Sequence, residues 1–203
     1  MQLVLNRVET KSPIRIIPSR RMTDDQFYQF CVANPELRIE RNADGEIEIM
    51  PPTGAESSFQ SGDVFRQLSA WARRDKRGVA FESNGEYLLP SGAARVPGAS
   101  WVTRDRLNRL SREEKRKFLP LCPEFVIEVM SPSDRLAKCK TKMQAWIDNG
   151  AQLGWLIDPD RRAIYIYRPG RDAEKRTGVT KLAGEGPVKG FVLDLTEVFD
   201  PDW

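Results

Sequence analysis

Phe125-Val126-Ile127-Glu128-Val129-Met130 is an almost unbroken apolar run of strand length with a single carboxylate inside it. A run without alternation is the pattern of a strand covered on both faces, so a sheet with helices packed against it is expected around this stretch. Ser131-Pro132-Ser133-Asp134 then starts a helix that runs to about Asn149, with Gly150 as its stop. Residues 153–157 and 163–167 form a further strand pair around Asp158-Pro159-Asp160-Arg161, and residues 191–199 add an edge strand or a short helix.

Upstream, residues 1–20 hold Lys11, Arg15, Arg20 and two prolines with little periodicity, and read as an N-terminal arm or irregular lead-in to one domain over residues 21–203. Thr23 with Asp24 and Asp25 opens a helix carrying Phe27, Phe30 and Cys31 on one stripe, and Pro35 closes it. Residues 37–41 and 46–50 flank an Asn42-Ala43-Asp44-Gly45 turn as a hairpin. From about residue 55 to 76, Val64, Phe65, Leu68 and Trp71 recur at helical spacing. Residues 79–82, 86–89 and 99–102 read as consecutive strands of one sheet, and the charged stretch 103–118 as an exposed helical excursion. The sum is a mixed sheet with helices on its faces, α/β or α+β.

Composition removes several chemistries. The chain has 203 residues, 32 Lys plus Arg against 29 Asp plus Glu, three cysteines and no histidine. Without imidazole there is no Ser-His-Asp or Cys-His pair and no His-ligated metal, so carboxylates, lysines or backbone must do the work. Cys31, Cys122 and Cys139 lack metal-knot or redox spacing, and a reducing cytoplasm is expected. No apolar stretch approaches the roughly 20 residues of a bilayer span, and residues 1–12 lack the apolar core of an export signal, so no membrane partner is expected. A net charge of +3 leaves nucleic-acid binding to local basic patches.

Glu128 is the most informative position, because a carboxylate within an apolar strand costs several kcal/mol to desolvate without a compensating partner. On the following helix, Leu136, Cys139, Met143, Trp146 and Ile147 share a face, with Lys142 about 90° from its centre and Lys138 about 130°. Lys142 is thus the boundary lysine, able to lay its stem on the core and bring its ammonium to Glu128, whereas Lys138 and Lys140 are expected in solvent. The pair suits metal-assisted phosphoryl chemistry, and it equally suits a plain salt bridge.

Several stretches carry a resemblance. Met50-Pro51-Pro52-Thr53-Gly54, Val96-Pro97-Gly98-Ala99-Ser100-Trp101-Val102, Phe125-Val126-Ile127-Glu128-Val129 with Ser131-Pro132-Ser133-Asp134, Lys142-Met143-Gln144-Ala145-Trp146 and Gly154-Trp155-Leu156-Ile157-Asp158-Pro159 resemble, in this order, the Uma2 family of predicted bacterial endonucleases. The resemblance covers nearly the whole chain after residue 20. It implies a restriction-endonuclease-like fold of the PD-(D/E)XK type, a central mixed sheet flanked by helices, and Mg²⁺-dependent hydrolysis of DNA phosphodiesters. It makes Glu128 the second-motif acid, at once catalytic group and metal ligand, and Lys142 a catalytic lysine moved onto the helix from the strand position now held by Met130. Glu56 is the counterpart of the helix acid that completes the metal site in many such nucleases, or a first-turn glutamate favoured by the helix dipole. The first motif normally reads Pro-Asp, and here Pro97 precedes Gly98, so the position of one metal ligand carries no carboxylate. Neither Asp105 nor Asp134 is an obvious replacement.

Two functions therefore compete: a Mg²⁺-dependent DNA endonuclease, and a catalytically degenerate member that binds DNA or another protein. Arg66, Arg73, Arg74, Lys76 and Arg77 on one helix, with Arg104, Arg106, Arg109 and Arg112 in the excursion, could follow a phosphate backbone or form a solvated charged surface. Trp71, Trp101, Trp146 and Trp155 are expected in the core rather than stacked on bases, and Trp203 is terminal. Edge strands and an apolar tail favour a homodimer, by analogy with nucleases of this fold.

Overall fold

The computed structural model describes residues 5–9, by their backbone alone, and residues 13–202; Lys11 and Trp203 lie outside the described residues. In chain order the elements are β1 (Leu5–Glu9), β2 (Ile14–Pro18), α1 (Asp24–Val32), β3 (Arg38–Arg41), β4 (Ile47–Met50), α2 (Ala55–Asp75) and β5 (Gly78–Phe81). There follow β6 (Tyr87–Leu88), β7 (Ala94–Arg95), β8 (Ala99–Thr103), α3 (Arg104–Asn108), β9 (Phe125–Val129), α4 (Leu136–Asp148), β10 (Leu153–Asp158) and β11 (Ala163–Tyr167). The chain ends through β12 (Glu174–Thr177), β13 (Lys181–Ala183), β14 (Val192–Asp194) and α5 (Thr196–Phe199). The fold is mixed α+β, and among the described residues no helix is long and apolar enough to cross a membrane.

The elements gather into two units, Met1–Pro52 with Glu86–Val96 and Ser111–Leu121, and Thr53–Gly85 with Pro97–Leu110 and Cys122–Trp203. The second unit is built on a six-stranded sheet in the order β12-β11-β10-β9-β8-β5. Only β9 and β10 run parallel, as the α4 crossover between them requires. Pleating sends Phe125 and Ile127 of β9 into a core with Trp71 and Leu68 of α2, Trp155 of β10 and Phe191. Trp101 of β8 lies against Trp71 with ring centroids 6.1 Å apart. Close packing here leaves room only for glycine at 78, where a Cβ would come within 2.2 Å of the Trp101 ring. The opposite face is covered by α4.

The first unit holds the sheet β1-β2-β4-β3-β7-β6 around Met22, Phe27, Ile39, Ile47 and Ala94. Thr23 and Gln26 form a reciprocal capping box at the start of α1. The Asn42 side chain accepts the Asp44 and Glu46 amides and so closes the β3–β4 hairpin. Charges line its interior. Arg41, 1% exposed, donates to the Gly92 and Met22 carbonyls and to the Asp24 carboxylate. Arg95 Nη1 reaches Glu40 Oε2 at 2.8 Å and Glu48 Oε2 at 2.9 Å. Glu86 is buried beside them, and its Oε1 accepts no hydrogen bond among the described residues.

Several expectations shift. The lead-in is not irregular: residues 14–18 are β2, with Ile14 opposite Ile49 and Ile16 opposite Ile47, because Pro13 and Pro18 sit at its ends rather than inside it. Residues 86–89 do not join the sheet of β5 and β8; β6 pairs with β7 in the other unit, and two-residue strands leave no periodic trace. The charged excursion is not one helix but α3 followed by a 3-10 turn at Glu114–Arg116, because the Ser111 and Glu114 side chains accept each other's backbone amides and start a new turn. The helix after β9 begins at Leu136, since Asp134 Oδ2 takes the Ser131 amide at 2.8 Å and its hydroxyl at 2.9 Å and closes a turn first. The tail forms both a strand and a helix. β12 and β13 were not anticipated, β12 being almost wholly polar and exposed.

Burial, reinforced by the negative charge of Glu40, pushes the Glu86 carboxyl up from 4.5 to about 8. Between those two pH values the unfolded chain has lost this proton while the folded protein keeps it, so stability falls as pH rises through the window and levels off above it. Glu86→Gln, neutral at every pH, is therefore expected to gain in thermal midpoint over wild type as pH rises from 5 to 8. Scanning calorimetry of both proteins tests this, and an unchanging gap contradicts it.

Candidate active site

Glu128 occupies β9 on the face opposite Phe125 and Ile127, where α4 lies across the sheet. Lys142 Nζ stands 2.9 Å from Glu128 Oε1, and the Trp146 indole donates Nε1–H to the same oxygen at 3.2 Å. Lys142 and Trp146 are one helical turn apart, so both donors project from one stripe of α4 onto one carboxylate. The acid is 15% exposed and the lysine 23%, which places the pair between a solvated surface bridge and a buried one.

Sequence reasoning foresaw the meeting of Glu128 and Lys142 but treated Trp146 as core alone. It is core, at 1% exposure, and also a polar clamp. Its spacing of four from Lys142 was the available signal. Lys140 is exposed, as expected, and its ammonium also lies 4.5 Å from the centre of the Tyr165 ring.

Ala99 pairs with Ile127, which brings Gly98 alongside Glu128. A Cβ built on Gly98 would sit 3.7 Å from Glu128 Cα and 3.0 Å from the Ile127 carbonyl oxygen. Position 98 is thus next to the acid, and what it lacks is a side chain. Glu56 occupies the exposed first turn of α2, where its Oε1 takes a long bond of 3.4 Å from Gln60 Nε2. Asp134 is spent on its turn with Ser131. Asp158, at the end of β10 and 1% exposed, is an acid that sequence reasoning left in a turn; Arg161 Nη1 binds it at 3.0 Å. It borders a cavity of about 70 Å³ shared with Met130, Ser131 and Asp134. A larger hollow of about 420 Å³, between Gln152, Arg168 and Glu185, holds none of the candidate residues, and its Arg168 is matched by Glu174 and Glu185.

A Mg²⁺ centre relies on one or two carboxylates in near-octahedral geometry, with waters completing the shell. Here a single carboxylate is present, and its Oε1 faces an ammonium at 2.9 Å. Among the described residues no three acids or thiols converge to hold an ion. The donor set fits the Lys142 ammonium and does not fit a divalent cation. Elsewhere the basic residues of α2 and α3 are partly spent: Arg66 pairs with Asp63 and Arg77 with Asp75, while Arg104 donates to the Lys76 carbonyl and Arg106 to that of Cys122.

Comparison with known proteins agrees with this architecture. Residues 24–196 match the Uma2 family, described as "Putative restriction endonuclease". Among solved structures, a putative nuclease belonging to DUF820 from Anabaena variabilis ATCC 29413 superposes with a TM-score of 0.70 at 21% identity, covering 88% of this chain and 97% of that one. At that identity the likeness speaks for the fold. No curated protein matches the chain.

The thiol nearest the candidate site is a poor nucleophile. Burial, with the charges of Asp134 and Glu128, pushes Cys139 from 9.0 to about 11, and burial raises Cys31 and Cys122 to about 12. Thiolate is then scarce at pH 8 in the folded state. Iodoacetamide at pH 8 is expected to label the native protein far more slowly than a peptide thiol, and all three cysteines once guanidinium unfolds it. Labelling of native Cys139 at the peptide rate contradicts this.

Proposed function

Because the chain belongs to the Uma2 family of restriction-endonuclease-like proteins, we propose that it is a nuclease-fold protein that engages DNA over the Glu128 face and whose hydrolytic centre is incomplete at one position. The observation that carries this reading is Gly98. The family resemblance assigns a carboxylate to this place, and a glycine stands there, 3.7 Å in Cβ position from the Glu128 backbone. Glu128 alone supplies one carboxylate, with its Oε1 held by Lys142 and Trp146. That suffices to orient a water, but not to bind Mg²⁺ with the affinity a second carboxylate supplies. The Lys142 ammonium, set against Glu128, would attract a phosphate oxygen. Three free thiols support a reducing compartment, and we place the protein in the cytoplasm on that ground.

A second reading, an active Mg²⁺-dependent endonuclease, is favoured by the intact Glu128–Lys142–Trp146 geometry. Plasmid cleavage separates the two. With Mg²⁺ or Mn²⁺ the wild type is expected to bind plasmid at low salt and leave it supercoiled. Gly98→Asp should nick it, and adding Glu128→Gln to that variant should abolish nicking. The new Cβ requires β9 to yield by a few tenths of an ångström, since it starts 3.0 Å from the Ile127 oxygen. Wild-type nicking that Glu128→Gln abolishes would establish the second reading instead, and nicking that survives Glu128→Gln would remove the site from both.

A further inference from the structure

The strand register lays a row of residues across the α4 face of the sheet. Leu156 pairs with Glu128 on one side and with Tyr165 on the other, and Tyr165 pairs with Lys175 of β12. Directly opposite residues of neighbouring strands project to the same face. The row therefore runs Glu128, Leu156, Tyr165, Lys175, and ends in a second polar cluster that the Glu128 site does not use.

Tyr165 is 5% exposed and makes the floor of that cluster. Lys140 Nζ of α4 lies 4.5 Å from its ring centroid and Lys175 Nζ of β12 lies 5.9 Å from it. Both lysines are exposed, and neither forms an ion pair among the described residues. Arg161 comes within electrostatic reach of the same tyrosine, with its own charge already matched by Asp158. The nearby carboxylate of Glu174 is taken by Arg168 and Arg176. Two ammonium groups thus converge on one aromatic floor from separate elements without an acid between them. Like charges held together repel, and the arrangement becomes favourable when an anion with several oxygens sits between them.

We propose that Lys140 and Lys175, over Tyr165, hold a backbone phosphate of duplex DNA away from the Glu128 position. From Glu128 to Lys175 is three strand spacings of about 4.8 Å, or ~14 Å. That spans roughly four nucleotides of duplex rise at about 3.4 Å each, so one strand can reach both places. The contact is to phosphate and carries no sequence preference. It rests on the nucleic-acid reading of the preceding subsection and adds to it the surface along which DNA lies.

The test is fluorescence anisotropy of a labelled duplex in EDTA, titrated with salt, using full-length protein. Lys140→Gln/Lys175→Gln is compared with wild type and with Arg73→Gln/Arg74→Gln, which changes exposed residues of α2 on the other face of the sheet. All four positions are exposed, so folding should be unaffected, as the thermal midpoint will show. The lysine pair is expected to weaken binding to every sequence alike and to lower the slope of log affinity against log salt by about 1, the value for one lost phosphate contact. The arginine pair is expected to leave the slope unchanged. Wild-type binding whose slope the lysine pair does not alter overturns this inference and leaves the nucleic-acid reading standing. No wild-type binding to duplex at low salt sinks both, and binding of polyglutamate in its place would assign the cluster to an acidic protein.

Discussion

A carboxylate in the middle of a sheet has to be matched, and the match between Glu128 and α4 is what the second unit is arranged around. The strand that carries it is apolar on both faces apart from this one group. Its partners come from the helix immediately following in sequence, which must cross the sheet to let β10 run parallel to β9. Crossover, acid and lysine are therefore one constraint: wherever the chain makes this βαβ unit, residues 142 and 146 of the helix are delivered to residue 128 of the strand. Opposite this face, Trp71, Trp101, Trp155, Phe125 and Phe191 supply the apolar packing that fixes β9 in place.

The same register that fixes Glu128 distributes the rest of the face. Gly98 lies beside the acid on one side, and Leu156, Tyr165 and Lys175 extend from it on the other. The face is thereby asymmetric, with no side chain at position 98 and the ammonium groups of Lys140 and Lys175 further along. A surface with few acids and several cations favours a polyanion over a metal, and this is the ground of the proposed function. In that reading Gly98, just before β8, and Lys140, on α4, act in the same direction.

Much of this was legible in the sequence, for physical reasons that differ by residue. β9 shows because an unbroken apolar run marks a strand buried on both faces, and a lone acid within it demands a partner. The β3–β4 hairpin and α2 show because turn residues and helical spacing are local signals. Lys142 shows because its angle on the helix places it at the edge of the apolar stripe. Trp146 shows only by half: hydrophobic periodicity counts the indole as apolar and is blind to where its N–H points. β7, β12 and β13 are short or polar and are held by their neighbours rather than by their own pattern. The buried charges of the first unit, Arg41, Glu40, Glu48 and Glu86, come from three separated stretches, and a linear reading has no means of assembling them.

The central claim is that Glu128 and Lys142 are energetically coupled across the strand and helix, and a double-mutant cycle measures that coupling directly. Urea unfolding of wild type, Glu128→Gln, Lys142→Met and the double variant yields it as the departure from additivity. The pair's limited exposure predicts a coupling of about 1–3 kcal/mol, above the ~0.2–1 kcal/mol of exposed bridges. Additive effects within a few tenths of a kcal/mol, about 0.3, would contradict it and leave the two residues as neighbours without a shared role.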